Sequence, residues 1–188
     1  DPWAGTGLQT ELMVAKLAPA LAYKVLPTLS FGASLHYNYS ELEINKRKAD
    51  GTTLGFQAGI LYTPVPNVYL GASYTNPQEI TYEGLLAAGQ PPMAPTYNDL
   101  SLEAPEQYAI GISTEQLDKR LVLGVDVRWI QWGEANGYRE FGWENQTVFA
   151  VGGQYAVIPE KFVIRAGYNY GNNPVKTNDG FDGSFNPA

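Results

Sequence analysis

The chain has 188 residues, of which 44% are hydrophobic, 16% are charged and 13% are aromatic, and its formal net charge is -7. An acidic balance without a basic stripe argues against nucleic acid as a partner. The absence of cysteine excludes disulfides, thiolate metal sites and cysteine catalysis. No apolar run reaches the roughly 18 residues that a membrane-spanning helix needs.

Apolar residues alternate with small or polar ones along most of the chain, and this period of two predicts strands with one apolar and one polar face. The clearest case is 121–129, where Leu121, Leu123, Val125, Val127 and Trp129 alternate with Val122, Gly124, Asp126 and Arg128. In chain order, the predicted strands are 13–25, 29–44, 54–62, 68–74, a strand starting at 108, 121–129, 149–155 and 162–170. We therefore expect about eight strands, each of a length that crosses a bilayer when tilted.

The connections between the predicted strands are of two kinds. Four are tight turns, at VLPT (25–28), PVPN (64–67), LDKR (117–120) and IPEK (158–161), whereas 45–53, 83–103 and 133–145 are expected to be long loops. Aromatic residues gather near the long-loop ends: Tyr37, Tyr39, Tyr74, Trp129, Trp132, Tyr168 and Tyr170. Short turns at one end, long loops at the other and an aromatic girdle are typical of an outer-membrane barrel.

The main structural alternative is a soluble sandwich or a lipocalin-like barrel, in which the apolar face would point inward. The opposite face is rich in Gly and Ser and carries only scattered charges. That composition suits a lumen better than an exposed surface. The position of the aromatic residues at strand ends also favours the membrane barrel.

Several sequence blocks resemble the FadL family of outer-membrane transporters for long-chain fatty acids and other hydrophobic compounds. The block GYNYGNNPV (167–175) is similar to a late-strand motif of that family. Further blocks agree in order and spacing: LAYKVLPTLSFGASL (21–35), GFQAGILYTPVPNVYLGASYTNPQEITYEG (55–84), LVLGVDVRWIQW (121–132) and WENQTVFAVGGQYAV (143–157).

The resemblance implies an all-β fold: an antiparallel, up-and-down transmembrane β-barrel of about fourteen strands, with an N-terminal hatch in its lumen. Residues 1–188 would be a partial barrel domain supplying about eight strands. The hatch, the early strands and the last strands would come from elsewhere in the same chain or from another chain. The expected location is the outer membrane of a Gram-negative bacterium, in contact with its lipid. The expected function is passive uptake of a hydrophobic small molecule or fatty acid, without a cofactor.

Four ionisable residues fall on the polar face of the predicted strands: His36, Asp126, Arg128 and Arg165. One interpretation is a lumen that binds a carboxylate headgroup through an arginine. The other is a ladder of paired charges that fills the barrel interior.

In the predicted loop 83–103, Leu85, Leu86 and Met93 could capture an apolar ligand, or they could pack on neighbouring loops.

Catalysis and metal binding have little support in the sequence. An outer-membrane hydrolase using His36 is one alternative and a purely structural barrel is another. The sequence around His36 is GASLH, which is not the G-x-S-x-G motif of a serine nucleophile, and no residues have metal-ligand spacing. We expect a protein that is not an enzyme.

Overall fold

The computed structural model describes residues 10–44, 46–85 and 99–175. Within these ranges the chain forms eleven strands and one turn of 3₁₀ helix, Arg139–Phe141. The strands are β1 (Thr10–Leu17), β2 (Ala20–Leu26), β3 (Leu29–Ile44), β4 (Arg47–Val65), β5 (Val68–Thr75), β6 (Gln78–Tyr82), β7 (Leu100–Ala104), β8 (Gln107–Gln116), β9 (Leu121–Ile130), β10 (Gln146–Ile158) and β11 (Phe162–Gly171). No helix in the described part of the chain has the length and apolar character that crossing a membrane requires.

Nine of these strands form one antiparallel sheet in the order β1-β3-β4-β5-β8-β9-β10-β11, with β2 also paired to β3. Strands β1 and β2 are two parts of one wall strand, because Leu17 pairs with Tyr37 and Ala20 pairs with Ser34 in an unbroken register. Between these pairs the ladder is interrupted at Ala18 and Pro19, and proline has no backbone N–H to donate. The expected number of about eight antiparallel wall strands is therefore confirmed.

The two faces of this wall differ as the alternation predicts. Neighbouring strands place apolar residues side by side on the outer face, as in the row Phe31, Ile60, Ala72, Ile110, Val127 and Phe149. Leu123 and Val125 on this face are 47% and 48% exposed. A continuous apolar band of this kind is stable only against an apolar environment.

The four predicted tight turns are confirmed, but the predicted loop 45–53 is wrong. Strand β4 begins at Arg47, and β3 and β4 stay paired up to Ile44 and Arg47. Lys48 Nζ lies 2.6 Å from Glu41 Oε1 across this extension. The residues of this extension are polar because they lie beyond the apolar band. The pairing of β3 with β4 continues there because opposite charges on facing residues stabilise it.

The predicted irregular loop 83–103 also differs from the structure, because β6 and β7 pair into a separate two-stranded sheet. We call β6, β7 and the adjoining residues 83–85 and 99 the inner hairpin. It folds onto the concave face of β3 and β4, where Ile80, Tyr82 and Leu85 form a small core with Leu42. Wall glycines make this approach possible: a Cβ on Gly51 would lie 2.6 Å from Ile80 Cγ2 and 2.7 Å from the Thr81 carbonyl oxygen.

The facing of β9 can be tested by cysteine labelling. We expect Asp126→Cys to react quickly with a membrane-impermeant thiol reagent in the protein embedded in a bilayer, and Val125→Cys to react slowly, because lipid covers only the apolar face. Fast labelling at Val125 would reverse the assignment of the two faces.

The turn after β8 is strained, because Leu117, Asp118 and Lys119 have φ angles of 53°, 53° and 66°. A side chain in this left-handed region costs about 1 kcal/mol relative to glycine. We expect Asp118→Gly to raise the free energy of unfolding by about that amount in urea titrations of the protein in lipid vesicles. Thr28→Gly, in a turn where Thr28 has no positive φ, is the matched control and should give no gain.

Candidate functional site in the concave face

The concave face of the wall forms an open groove with a volume of about 970 Å³. Its floor is lined largely by residues without bulky side chains: Gly32, Gly59, Gly71, Gly111, Gly124, Gly152, Ser30, Ser73 and Ser113. These residues come from six neighbouring strands, β3, β4, β5, β8, β9 and β10. Because the backbone is nearly bare there, the groove stays wide over the middle of the wall.

Three of the predicted site residues, Asp126, Arg128 and Arg165, line this groove. The Arg165 Nε–H donates a hydrogen bond to Gln154 Oε1 at 3.0 Å, which fixes the guanidinium against β10. The expected ladder of paired charges is not present among the described residues, whose ion pairs are Lys48–Glu41, Lys119–Glu115 and Arg139–Glu140. The three groove charges are solvent-exposed, so they need no partner to offset desolvation.

His36 also lies on the concave face, but the inner hairpin separates it from solvent. It is 6% exposed, and its Nε2 lies 2.9 Å from Ser34 Oγ. Its Nδ1 has no hydrogen-bond partner in the described structure. A Ser–His contact without a group that orients the imidazole is not a catalytic triad.

Of the predicted capture residues, only Leu85 lies in the described part of the chain. It is 3% exposed and packs in the inner-hairpin core with Leu42, Ile80 and Tyr82. Its side chain is therefore turned toward the wall and away from solvent. Leu86 and Met93 lie outside the described residues.

The sequence interpretation missed the contacts between the inner hairpin and loop 131–145. The Asn136 Nδ2 donates to Glu79 Oε2 at 2.7 Å, and the Glu103 N–H donates to the Asn136 carbonyl at 3.0 Å. In the same loop Trp132, expected in the girdle, packs with two other rings, Tyr138 and Trp143, at centroid distances of 4.8 and 5.1 Å. The sequence feature that could have indicated a separate hairpin here is the pair of prolines that flank it, Pro77 and Pro105.

Burial under this loop changes the electrostatics of the hairpin. Desolvation raises the pKa of Glu103 above its ordinary value of 4.5, the neighbouring Glu79 raises this pKa further, and Arg139 opposes the shift. Burial also raises the pKa of Tyr138. Within the described ranges, no group of acidic or histidine side chains is arranged to hold a metal ion.

An antiparallel wall with an apolar outer face and a wide groove on its inner face, lined by glycine, serine and three charged side chains among apolar ones, defines a transmembrane β-barrel of the outer-membrane class. Residues 40–180 match the sequence model of the family described as outer membrane protein transport protein (OMPP1/FadL/TodX). The chain belongs to this family. The predictions of an outer-membrane location and of a transport class instead of an enzyme class are thereby confirmed at the level of the family.

Solved structures agree in fold. The Ralstonia pickettii toluene transporter TbuX is 18% identical with a TM-score of 0.67, covering 87% of this chain and 56% of its own. A Pseudomonas aeruginosa FadL homologue is 20% identical with a TM-score of 0.68, covering 89% and 51%. The Pseudomonas putida toluene transporter TodX is 17% identical with a TM-score of 0.65, covering 87% and 56%. The chain thus spans about half the length of these proteins, and no curated protein sequence matches it.

The raised pKa of Glu103 makes docking of the inner hairpin depend on pH. The folded state holds the Glu103 proton more tightly than the unfolded state, so its stability rises as pH falls through the raised pKa toward 4.5. We expect the protection factors of the β7 amides, which correct for the slower intrinsic exchange at lower pH, to rise as the pH is lowered from neutral through the raised pKa of Glu103. The variant Glu103→Gln should be protected already at neutral pH and should lose most of this dependence. An unchanged pH profile in Glu103→Gln would assign the effect to another group.

Proposed function

We propose that this chain forms part of the lumen wall of a channel for passive uptake of hydrophobic molecules across the outer membrane. The observation that carries the proposal is the wide groove with its glycine and serine floor on the inner face. Such a floor leaves room for a bulky solute and offers few strong binding groups. That combination suits passage better than tight retention.

The proposed substrates are long-chain fatty acids or aromatic hydrocarbons. The similarity to two toluene transporters and to a FadL homologue supports both classes. Two exposed arginines in the groove, Arg128 and Arg165, additionally suit a substrate with an anionic headgroup. Arg165 is the stronger candidate because Gln154 holds one N–H and leaves the other donors of its guanidinium to a ligand.

The proposed partners follow from the two surfaces of the wall. Outer-membrane lipid covers the apolar face, and residues 1–188 act as one partial barrel domain. Among the described residues the sheet ends at β1–β2 and at β11, and these two edges pair with further strands from the same or another chain, because lipid does not tolerate unpaired backbone groups.

The alternative of a hydrolase that uses His36 has one favourable contact, the 2.9 Å approach to Ser34 Oγ. Against it, His36 is buried and lies beneath the inner hairpin, and its Nδ1 has no orienting partner in the described structure. A general base must reach the substrate. The transport proposal is therefore preferred.

The role of Arg165 is tested by Arg165→Ala in the complete protein, with binding and uptake measured for a fatty acid and for a neutral aromatic hydrocarbon. We expect the fatty acid to bind more weakly by about 1.5–3 kcal/mol, the contribution of a charge-assisted hydrogen bond, and the hydrocarbon to be unaffected.

Lys119→Ala is the matched control, because it removes one positive charge at a turn outside the groove. It should leave both substrates unchanged. Equal losses for both substrates in Arg165→Ala would show that Arg165 has only a structural role.

A further inference from the structure

The inner hairpin continues a hairpin of the wall. Strands β5 and β8 pair up to Thr75 and Gln107, and after two residues on each strand the pairing resumes with Gln78 and Ala104. The register is the same on both sides of the interruption. The wall hairpin and the inner hairpin are therefore one long hairpin that is bent inward, and straightening it would require no change of register.

The bend occurs at two facing prolines. Pro77 lies between β5 and β6, and Pro105 lies between β7 and β8. Proline donates no ladder hydrogen bond, so the backbone pairing is interrupted at the same level on both strands. On one side Asn76 stabilises the bend, because its Oδ1 accepts the Phe56 N–H at 2.6 Å and its Nδ2 donates to the Pro77 carbonyl at 2.8 Å.

Toward β3 and β4 the inner hairpin is held by side chains, because the two sheets share no backbone ladder in the described residues. On its other side it is held to loop 131–145 by the Glu103 N–H, which donates to the Asn136 carbonyl, and by Asn136 Nδ2, which donates to Glu79, so these two hydrogen bonds must also break when the hairpin moves. Asn38 Nδ2 donates to Gln78 Oε1 at 2.7 Å, and the Tyr82 hydroxyl donates to Ser40 Oγ at 2.8 Å. The same interface leaves two buried atoms, His36 Nδ1 and Asn38 Oδ1, without hydrogen-bond partners. Unmet polar groups oppose docking, so the interface is one that can separate.

We propose that the inner hairpin is a hinged gate, which turns about Asn76–Pro77 and Pro105–Glu106 and closes the long-loop end of the proposed uptake path. In the closed position it covers the concave face of β3 and β4 beyond Ser34, next to the groove. When it opens, most of its apolar side chains stay packed on one another, since Ile80, Tyr82, Leu85, Leu100 and Leu102 all belong to the hairpin. The apolar contact that is lost is chiefly the one with Leu42 and its partly buried wall neighbours Ile44 and Ala49.

A disulfide lock tests this gate cleanly, because the chain has no cysteine of its own. A Cβ at Gly55 would point directly at the Gln78 side chain, so Gly55→Cys with Gln78→Cys joins the wall to β6 when oxidised. The reporter is Ser73→Cys in the groove, labelled by a membrane-impermeant thiol reagent added to intact cells carrying the complete protein.

We expect the oxidised lock to slow labelling of the reporter by about tenfold or more relative to the same protein after reduction, since a gate that cannot open excludes the reagent. The single variants Gly55→Cys and Gln78→Cys serve as controls and should show no such difference.

In the opposite direction, Gly51→Val should speed labelling of the reporter. A Cβ at residue 51 would lie only 2.7 Å from the Thr81 carbonyl oxygen, so the added side chain would push the hairpin away from the wall.

Equal labelling of the oxidised and reduced forms would overturn the gate, as would a cysteine pair that never oxidises, since the hairpin would then not dock as described. The gate proposal rests on the proposed uptake path, but its readout is reagent access and not transport. Uptake of a fatty acid and of an aromatic hydrocarbon is measured in parallel in the reduced protein. Loss of gating with normal uptake rejects the gate alone, and normal gating without uptake of either substrate rejects the proposed function alone.

Discussion

The fold depends on pairing every backbone group inside a layer that contains no water. Each unpaired N–H or C=O group in hydrocarbon costs several kcal/mol, so the strands must stay in register across the whole apolar band. The wall meets this condition with long, nearly uninterrupted ladders, such as the one from Leu29–Tyr62 to Ile44–Arg47. A one-residue shift in the pairing register of β9 would move Asp126 and Arg128 to the lipid face. The alternation of apolar and polar residues therefore fixes the register of the ladder, and the ladder keeps each side chain on its own face.

Apart from the register shifts next to three tight turns, the pairing of the described strands is interrupted at two places, and both involve proline. Ala18 and Pro19 interrupt one ladder on an edge strand, and the Leu35 N–H still donates to the Pro19 carbonyl at 3.1 Å. Pro77 and Pro105 face each other and interrupt a whole hairpin, which then leaves the plane of the wall. The second arrangement occurs where the strands pass beyond the apolar band, and there water or side chains can satisfy the freed backbone groups. Asn76 does so with its own side chain.

The wall was predictable from the sequence and the inner hairpin was not, for a physical reason. Along β9 the lipid fixes which side chains face outward, so the alternation is complete and readable. In β6 the same alternation exists, with Gln78, Ile80 and Tyr82 buried and Glu79 and Thr81 exposed. However, this short strand packs on the inner face of β3 and β4, which offers glycines, polar residues and the single buried apolar side chain Leu42, so that face carries no continuous apolar pattern. The extension of β4 to Arg47 escapes prediction similarly, because a run of charges is typical of a loop, although here the charges pair across the strands.

The unpaired groove charges and the buried polar atoms of the hairpin interface follow from one difference in solvation. In the groove, Arg128 and Arg165 are exposed, so water satisfies them and a passing anion can replace that water at small cost. Under the hairpin, Asn38 and His36 are nearly inaccessible, and a buried polar atom without a protein partner opposes the closed state. Incomplete satisfaction of polar groups is thus harmless in the wide part of the lumen. At the hairpin interface the same incompleteness brings the docked and undocked states closer in free energy, and a hinged element needs that balance in order to move.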